Sequence, residues 1–154
     1  MAQPGSINPR IIESLYCEAL VLADEVRATV ALAGRLDHAG SEEDLARVAM
    51  SCEALRTTTR MMHAIAWLLN QRAYIKGELS EFQLHRYGRL ASDVAETDPE
   101  RIALLDPTVR ELVLATERFY TRLQRLDRGW QERSPIVPGA IDRLRARLTA
   151  IPTE

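Results

Sequence analysis

The chain has 154 residues, of which 46% are hydrophobic and 27% are charged, and its formal net charge is -2. This length suits a single domain, and the composition lies outside the disordered class. A charge so close to neutral gives no general attraction for nucleic acid or for an acidic membrane surface, so neither partner is expected.

The first predicted helix begins at Asn8-Pro9, where an N-cap residue precedes a proline whose missing N–H costs nothing. Apolar residues then recur at alternating steps of three and four, which predicts one long amphipathic helix. The stripe comprises Ile12, Leu15, Ala19, Leu22, Val26, Thr29, Ala33 and Leu36. The segment Asp37-His38-Ala39-Gly40 predicts the turn that follows.

A second helix is predicted from the capping box at Ser41-Glu42-Glu43-Asp44 to about Lys76, where Gly77 supplies a C-terminal stop. The same spacing defines a core stripe of Leu45, Val48, Cys52, Leu55, Thr59, Met62, Ala66, Leu69 and Ala73. Cys17 and Cys52 both fall on apolar stripes, which predicts small core residues in a reduced compartment.

A second capping box at Ser80-Glu81-Phe82-Gln83 opens a shorter predicted helix. Its apolar residues are Phe82, Leu84, Tyr87, Leu90 and Val94. A connection with one helical turn at residues 101–105 leads to Asp106-Pro107, which starts the last long helix. The stripe of that helix is Val109, Leu112, Thr116, Phe119, Leu123, Leu126 and Trp130, and Ile141, Leu144 and Leu148 indicate a short terminal helix.

No segment alternates with a period of two, so no sheet is expected. The pattern predicts an all-α protein: an antiparallel three-helix bundle of long helices with short accessory helices. We expect one domain over residues 1–154, with its core at about 8–132 and a C-terminal extension at 133–154. The longest apolar run, residues 61–69, is far shorter than the roughly 20 residues of a membrane span, and no signal peptide is evident, so a cytoplasmic protein is predicted.

The second helix is apolar almost all round between residues 61 and 69, more than two neighbouring helices can cover. One interpretation is that a short accessory helix covers the excess. The favoured one is a homodimer or partner interface, because Trp and Met suit a dry and adaptable contact. The residues assigned to it are Met61, Ile65, Trp67, Leu68 and Tyr74.

No catalytic, cofactor or metal site is expected. The Glu-x-x-His pairs of di-iron bundles do not occur, and His38, His63 and His85 lack companions at ligand spacing. We therefore expect a protein that is not an enzyme. The last long helix carries Arg118, Arg122, Arg125 and Arg128 at helical spacing, which indicates either a solvated face or a docking patch for an acidic partner.

The second helix also carries a family resemblance. Residues 52–69, CEALRTTTRMMHAIAWLL, continue through Gln71-Arg72-Ala73 and Gly77-Glu78-Leu79-Ser80, and residues 117–127 read ERFYTRLQRLD. These stretches, with a weaker match at residues 14–20, resemble the alphaproteobacterial family of the regulator of CtrA degradation.

The resemblance implies a dimeric three-helix bundle that is an adaptor for the ATP-dependent ClpXP protease. Such an adaptor binds cargo on one surface and the protease with its priming factor on another, so the gain comes from effective concentration. Two alternatives stay open. One is a helical DNA-binding or transcription-associated protein that uses residues 79–95 and the Arg-rich end, and the other is a structural dimeric scaffold.

Overall fold

The computed structural model describes residues 6–33, 41–94 and 96–133. Its helices are α1 (Pro9–Ala33), α2 (Ser41–Ile75), α3 (Glu81–Tyr87), α4 (Pro99–Ala103) and α5 (Pro107–Arg133). These described residues contain no strand, so the all-α class is confirmed. The terminal helix predicted around Ile141, Leu144 and Leu148 lies outside the described residues.

Three helices begin at the same local motif, an Asn or Asp followed by proline. In each case the side-chain oxygen of the Asn or Asp accepts a hydrogen bond from the backbone N–H of the residue after the proline. This bond satisfies one of the free N–H donors of the first helical turn. The pairs are Asn8 with Arg10 at 2.9 Å, Asp98 with Glu100 at 3.0 Å, and Asp106 with Thr108 at 2.9 Å.

Helix α2 ends as predicted, at a glycine. Gly77 has a φ of 79°, a conformation that side chains other than glycine rarely adopt. Its N–H donates to the carbonyl of Tyr74, and the N–H of Glu78 donates to the carbonyl of Ala73, both at 2.9 Å. Ser80 then caps α3, and the predicted capping box with Gln83 is complete in both directions.

Helix α3 is shorter than predicted. It ends at Tyr87, and residues 88–94 are not helical. Gly88 closes the helix with an N–H bond to the carbonyl of Leu84. Beyond it, side chains of α5 replace the helical bonds, because the Tyr120 hydroxyl donates to the carbonyl of Ala91 at 2.7 Å. Tertiary contacts therefore override the apolar spacing that continued to Val94.

The long helices α1, α2 and α5 pack on one another, but not all in opposite directions. Arg72 near the end of α2 pairs with Glu13 near the start of α1, so these two helices are antiparallel. Helices α2 and α5 run the same way, since Arg60 contacts Thr116 and, further along both helices, Trp67 contacts Asp127. The prediction of a fully antiparallel arrangement is wrong for this pair. The connection between α2 and α5 contains α3 and α4, which both pack on α2.

The core follows the predicted stripes of α1 and α5. Ile12, Leu15, Ala19 and Val26 are buried on α1, and Thr116, Phe119, Leu123 and Trp130 are buried on α5. At one end, the His85 ring stacks on Trp130 with centroids 4.2 Å apart, and Tyr74 meets Trp130 edge to face at 6.4 Å. These rings fix the short helix α3 against the end of α2 and α5.

Candidate interaction surface on helix α2

The residues predicted to form an interface lie in the core of the subunit. Met61, Trp67, Leu68 and Tyr74 are each no more than 3% exposed, and Ile65 is half-buried against the same core. Trp67 also donates its indole N–H to an Asp127 carboxylate oxygen at 2.9 Å. Met61, Trp67, Leu68 and Tyr74 therefore cannot serve as exposed partner contacts, and the assignment is wrong for these four residues.

The inward and outward faces of α2 were confused because the inward face carries buried polar residues. Glu53, Thr57, Arg60 and Gln71 are each at most 2% exposed. Arg60 donates to the Thr116 hydroxyl at 3.0 Å. In the sequence these polar residues made the inward face look less apolar than the opposite one. The partners on α5 that make their burial possible are far away along the chain, so a local pattern could not reveal them.

The stripe predicted for the core instead faces outward. We define the outward stripe as Leu45, Val48, Cys52, Leu55, Thr59, Met62, Ala66 and Leu69. Leu55 is 70% exposed and Val48 is 58% exposed, and within the stripe only Cys52 is half-buried. The residues span 24 helical steps, or about 36 Å. Exposed apolar residues along one helix face make the outward stripe a candidate interaction site.

The outward stripe lacks the charges that normally solvate an exposed helix face. Between Val48 and Asn70 the charged residues of α2 are Glu53, Arg56 and Arg60. Glu53 and Arg60 are buried, and Arg56 is half-buried while it donates to the Glu96 carbonyl at 3.0 Å. The helix therefore exposes no fully solvated charge over this length. Charge depletion of this kind is typical of the core of a protein interface.

A depression of about 330 Å³ borders the outward stripe on one side. It lies between Leu55, Thr59 and His63 of α2 and the non-helical residues Asp93 and Val94. His63 is exposed here. The stripe is thus continuous with a shallow recess that a partner side chain could fill.

A buried ionic network fixes α2 to α5 beneath this surface. The Arg60 guanidinium donates to Glu117 at 3.2 Å and to the Thr97 hydroxyl at 3.4 Å. Burial lowers the pKa of Arg60, and it raises the pKa of Glu53 despite the nearby Arg56 and Arg101 guanidinium groups. The network joins α2 to α5 beneath the outward stripe, although one buried Glu53 oxygen, Oε2, has no hydrogen-bond partner among the described residues.

The predicted arginine patch does not form one free surface. Arg118 pairs with Glu111 at 2.6 Å, and Arg122 pairs with Glu18 of α1. Arg125 and Arg128 form no ion pair with another described residue. Two of the four predicted residues therefore have ion-pair partners within the subunit.

The predictions for cysteine and for a DNA-binding motif also change. Cys17 is exposed and Cys52 is half-buried, so neither is the core residue predicted. Residues 79–94 contain one helix of seven residues followed by non-helical chain, which lacks the second helix of a helix-turn-helix. Across the described ranges, no group of three or more His, Cys, Asp or Glu residues could hold a metal ion. No helix among them is both long and apolar enough to cross a membrane.

A family model described as "Protein of unknown function (DUF1465)" matches residues 4–151. No curated protein and no solved structure matches the chain.

Proposed function

We propose that this chain, which belongs to the DUF1465 family, is a non-enzymatic homodimeric adaptor that joins other proteins. Two copies associate through the outward stripe of α2. In this proposal the dimer works in the cytoplasm and delivers regulatory cargo to the ClpXP protease together with a priming factor. The homodimer is argued from the surface of α2, and the protease and cargo are argued from the resemblance of residues 52–69.

The observation that carries the proposal is the exposure of the outward stripe. A second copy suits this stripe better than an unrelated partner for two reasons. The stripe lacks exposed charge, and homodimer interfaces are the more apolar class. The outward stripe also has apolar residues at both of its ends, Val48 near one end and Leu69 near the other. A two-fold axis near the middle of the stripe would place Val48 of one copy against the Leu69 end of the second copy.

Association at the outward stripe leaves α5 free for further partners. Helix α5 packs on the inward side of α2, so a dimer formed on the opposite face displays two copies of it. Binding of two proteins to one dimer raises the local concentration of each near the other, and this needs no chemical step. The mechanism agrees with the resemblance to an adaptor family.

The proposal is tested with a pair of matched valine variants in the native organism. Val48→Glu places a carboxylate on the outward stripe, and Val21→Glu places one on α1 at nearly the same exposure, 59% against 58%. We expect Val48→Glu to lengthen the half-lives of a set of regulatory proteins, as deletion of the gene does. Val21→Glu should leave those half-lives unchanged.

Two results would contradict the proposal. If gene deletion changes no protein half-life, the adaptor role fails. If the purified protein is nevertheless a dimer, the alternative of a structural scaffold is supported. If Val48→Glu and Val21→Glu act alike, the outward stripe is not the assembly surface. The DNA-binding alternative would return if the purified protein bound duplex DNA with a strong dependence on salt.

A further inference from the structure

A second surface lies between α5 and the non-helical chain that precedes α4. Two adjoining depressions of about 370 Å³ and 580 Å³ form one groove there, since Ser92 and Gln124 line both. On α5 the lining runs from Glu117 to Gln131, a length of about 21 Å. The groove therefore follows α5 back from its C-terminal end.

The half of the groove beside the end of α5 is neutral overall. This larger depression is lined by two guanidinium groups and two carboxylates, those of Arg89, Arg128, Asp93 and Asp127. Asp127 is buried and accepts a hydrogen bond from Trp67 at 2.9 Å. A chain segment that enters the groove from the end of α5 therefore meets no net charge at first.

The half of the groove further back along α5 is negative. This smaller depression is lined by the carboxylates of Glu96 and Glu117 and by one guanidinium, that of Arg60. Arg60 is buried and donates to Glu117 at 3.2 Å, so these two charges are paired with one another. Glu96 is exposed, and its carboxylate forms no ion pair with another described residue. A basic side chain in this half therefore has a free carboxylate to pair with.

Residues 134–154, which follow α5 directly, are here called the extension. Their first eight residues, SPIVPGAI, carry no charge, and the next six, DRLRAR, contain three arginines and one aspartate. The order of charge along the extension therefore matches the order along the groove, neutral first and then of opposite sign. The match of the family model reaches residue 151, so it includes both parts of the extension.

The extension is long enough to reach the negative half of the groove. The middle of the smaller depression is level with Tyr120, which lies 13 residues before Arg133, or about 20 Å along the helix. The nine residues 134–142 span up to about 30 Å when extended. The difference leaves chain for a reversal of direction, which the dipeptide Pro138-Gly139 favours.

We propose that the extension lies in this groove of its own subunit, with its three arginines beside Glu96 and Glu117. The uncharged residues 134–141 then lie along the larger depression. A second copy is not needed, since the extension begins where the groove begins. Another protein could reach this face of α5 only by displacing the extension. The inference does not rest on dimerisation or on delivery to a protease.

The test uses the full chain with a nitroxide label at Ala146→Cys, in a variant whose two native cysteines are replaced by serine. The label weakens the amide NMR signals of residues that lie near it. We expect Ser92, Glu96 and Thr97 to lose most of their signal intensity and Leu69 of the outward stripe to lose far less. In a mixture of labelled chain with isotope-enriched unlabelled chain, the enriched chain should show no loss, because the contact lies within one subunit.

Two charge reversals of exposed acidic residues test the pairing. Glu96→Arg should lower the ratio of bound to free extension by about two- to fivefold, as the loss of one exposed ion pair does. Glu100→Arg, on α4 and outside the groove, should leave the signal losses unchanged. A check without cysteine replacement substitutes glutamine for Arg143, Arg145 and Arg147 in the wild-type chain. It should move the amide chemical shifts of residues that line the smaller depression.

Several outcomes would overturn the proposal. If the label spares the groove and the triple glutamine variant moves none of its chemical shifts, the extension does not lie there. Signal losses centred on Leu69 would place the extension on α2, and losses in the mixed sample would place it on a second copy. Equal effects of Glu96→Arg and Glu100→Arg would reduce the contact to general attraction.

Discussion

Substitution of Trp67 separates a core role from an interface role. Trp67 is 2% exposed, and its indole N–H bonds to the Asp127 carboxylate at 2.9 Å. Trp67→Ala removes a large buried side chain, which costs about 3–5 kcal/mol of unfolding free energy. Trp67→Phe keeps most of the volume but removes one hydrogen bond to the buried Asp127 carboxylate, which Gln131 still contacts, and this costs about 1–3 kcal/mol. Both losses should be independent of protein concentration, because the contact lies within one subunit.

Urea unfolding followed by helical circular dichroism measures these losses. Phe82→Ala serves as a control, because Phe82 is an aromatic residue of α3 that is 56% exposed. It should change stability by no more than about 0.5 kcal/mol. The reasoning is refuted if Trp67→Ala folds with near-normal stability yet abolishes self-association. That result would put Trp67 between subunits.

Three further predictions concern the space around two glycines and the titration of the buried Glu53 and Tyr120. Gly88→Ala should cost about 1–3 kcal/mol of unfolding free energy, because a Cβ there would lie 2.8 Å from the Leu84 carbonyl oxygen. Gly129→Ala, inside α5, places a Cβ with nothing within 4 Å and should stabilise the protein by about 0.5–1 kcal/mol. Equal changes in the urea midpoint of the two variants would refute this prediction. Because burial raises the pKa of Glu53, the folded state holds its proton more tightly, and the contribution of Glu53 to stability falls as the pH rises above its ordinary value of 4.5. Urea titrations should therefore show that Glu53→Gln becomes more stable relative to wild type as the pH rises. A loss of relative stability would mean that the folded state stabilises the Glu53 anion. Burial raises the pKa of Tyr120 to about 12, so the stability lost in Tyr120→Phe at pH 8 should shrink between about pH 10 and 12, and a constant difference would contradict this.

The ends of the helices could be predicted from the sequence because they depend on neighbouring residues. An Asx-Pro pair starts a helix through a bond to an N–H two residues away, as Asn8 and Asp106 do. Gly77 ends α2 through its own backbone conformation. These signals are local, and tertiary structure does not reverse them.

The orientation of α2 could not be predicted from the sequence in the same way. Both of its faces carry apolar residues at steps of three and four, so periodicity alone gives two solutions. The choice depends on whether Arg60 and Glu53 can be buried, and that requires Thr116, Glu117 and Arg101 from distant helices. The sequence correctly indicated that α2 has more apolar surface than its own subunit covers, but it indicated the wrong face of α2 as the exposed one.

The non-helical conformation of residues 88–94 was missed for a related reason. Leu90 and Val94 continue the apolar spacing of α3, which predicted a longer helix. Leu90 is buried without being helical, because Tyr120 and Glu117 of α5 satisfy the backbone nearby. Gly88 was the one local signal that could have marked the break.

The most direct test of the account is the mass of the protein in solution. Light scattering on a sizing column should give twice the 17.4 kDa of one chain for wild type at micromolar concentration. Leu55→Glu, which places a carboxylate at the centre of the outward stripe, should give the mass of a single folded chain. A monomeric wild type, or a Leu55→Glu variant that remains fully dimeric, would contradict assembly through α2.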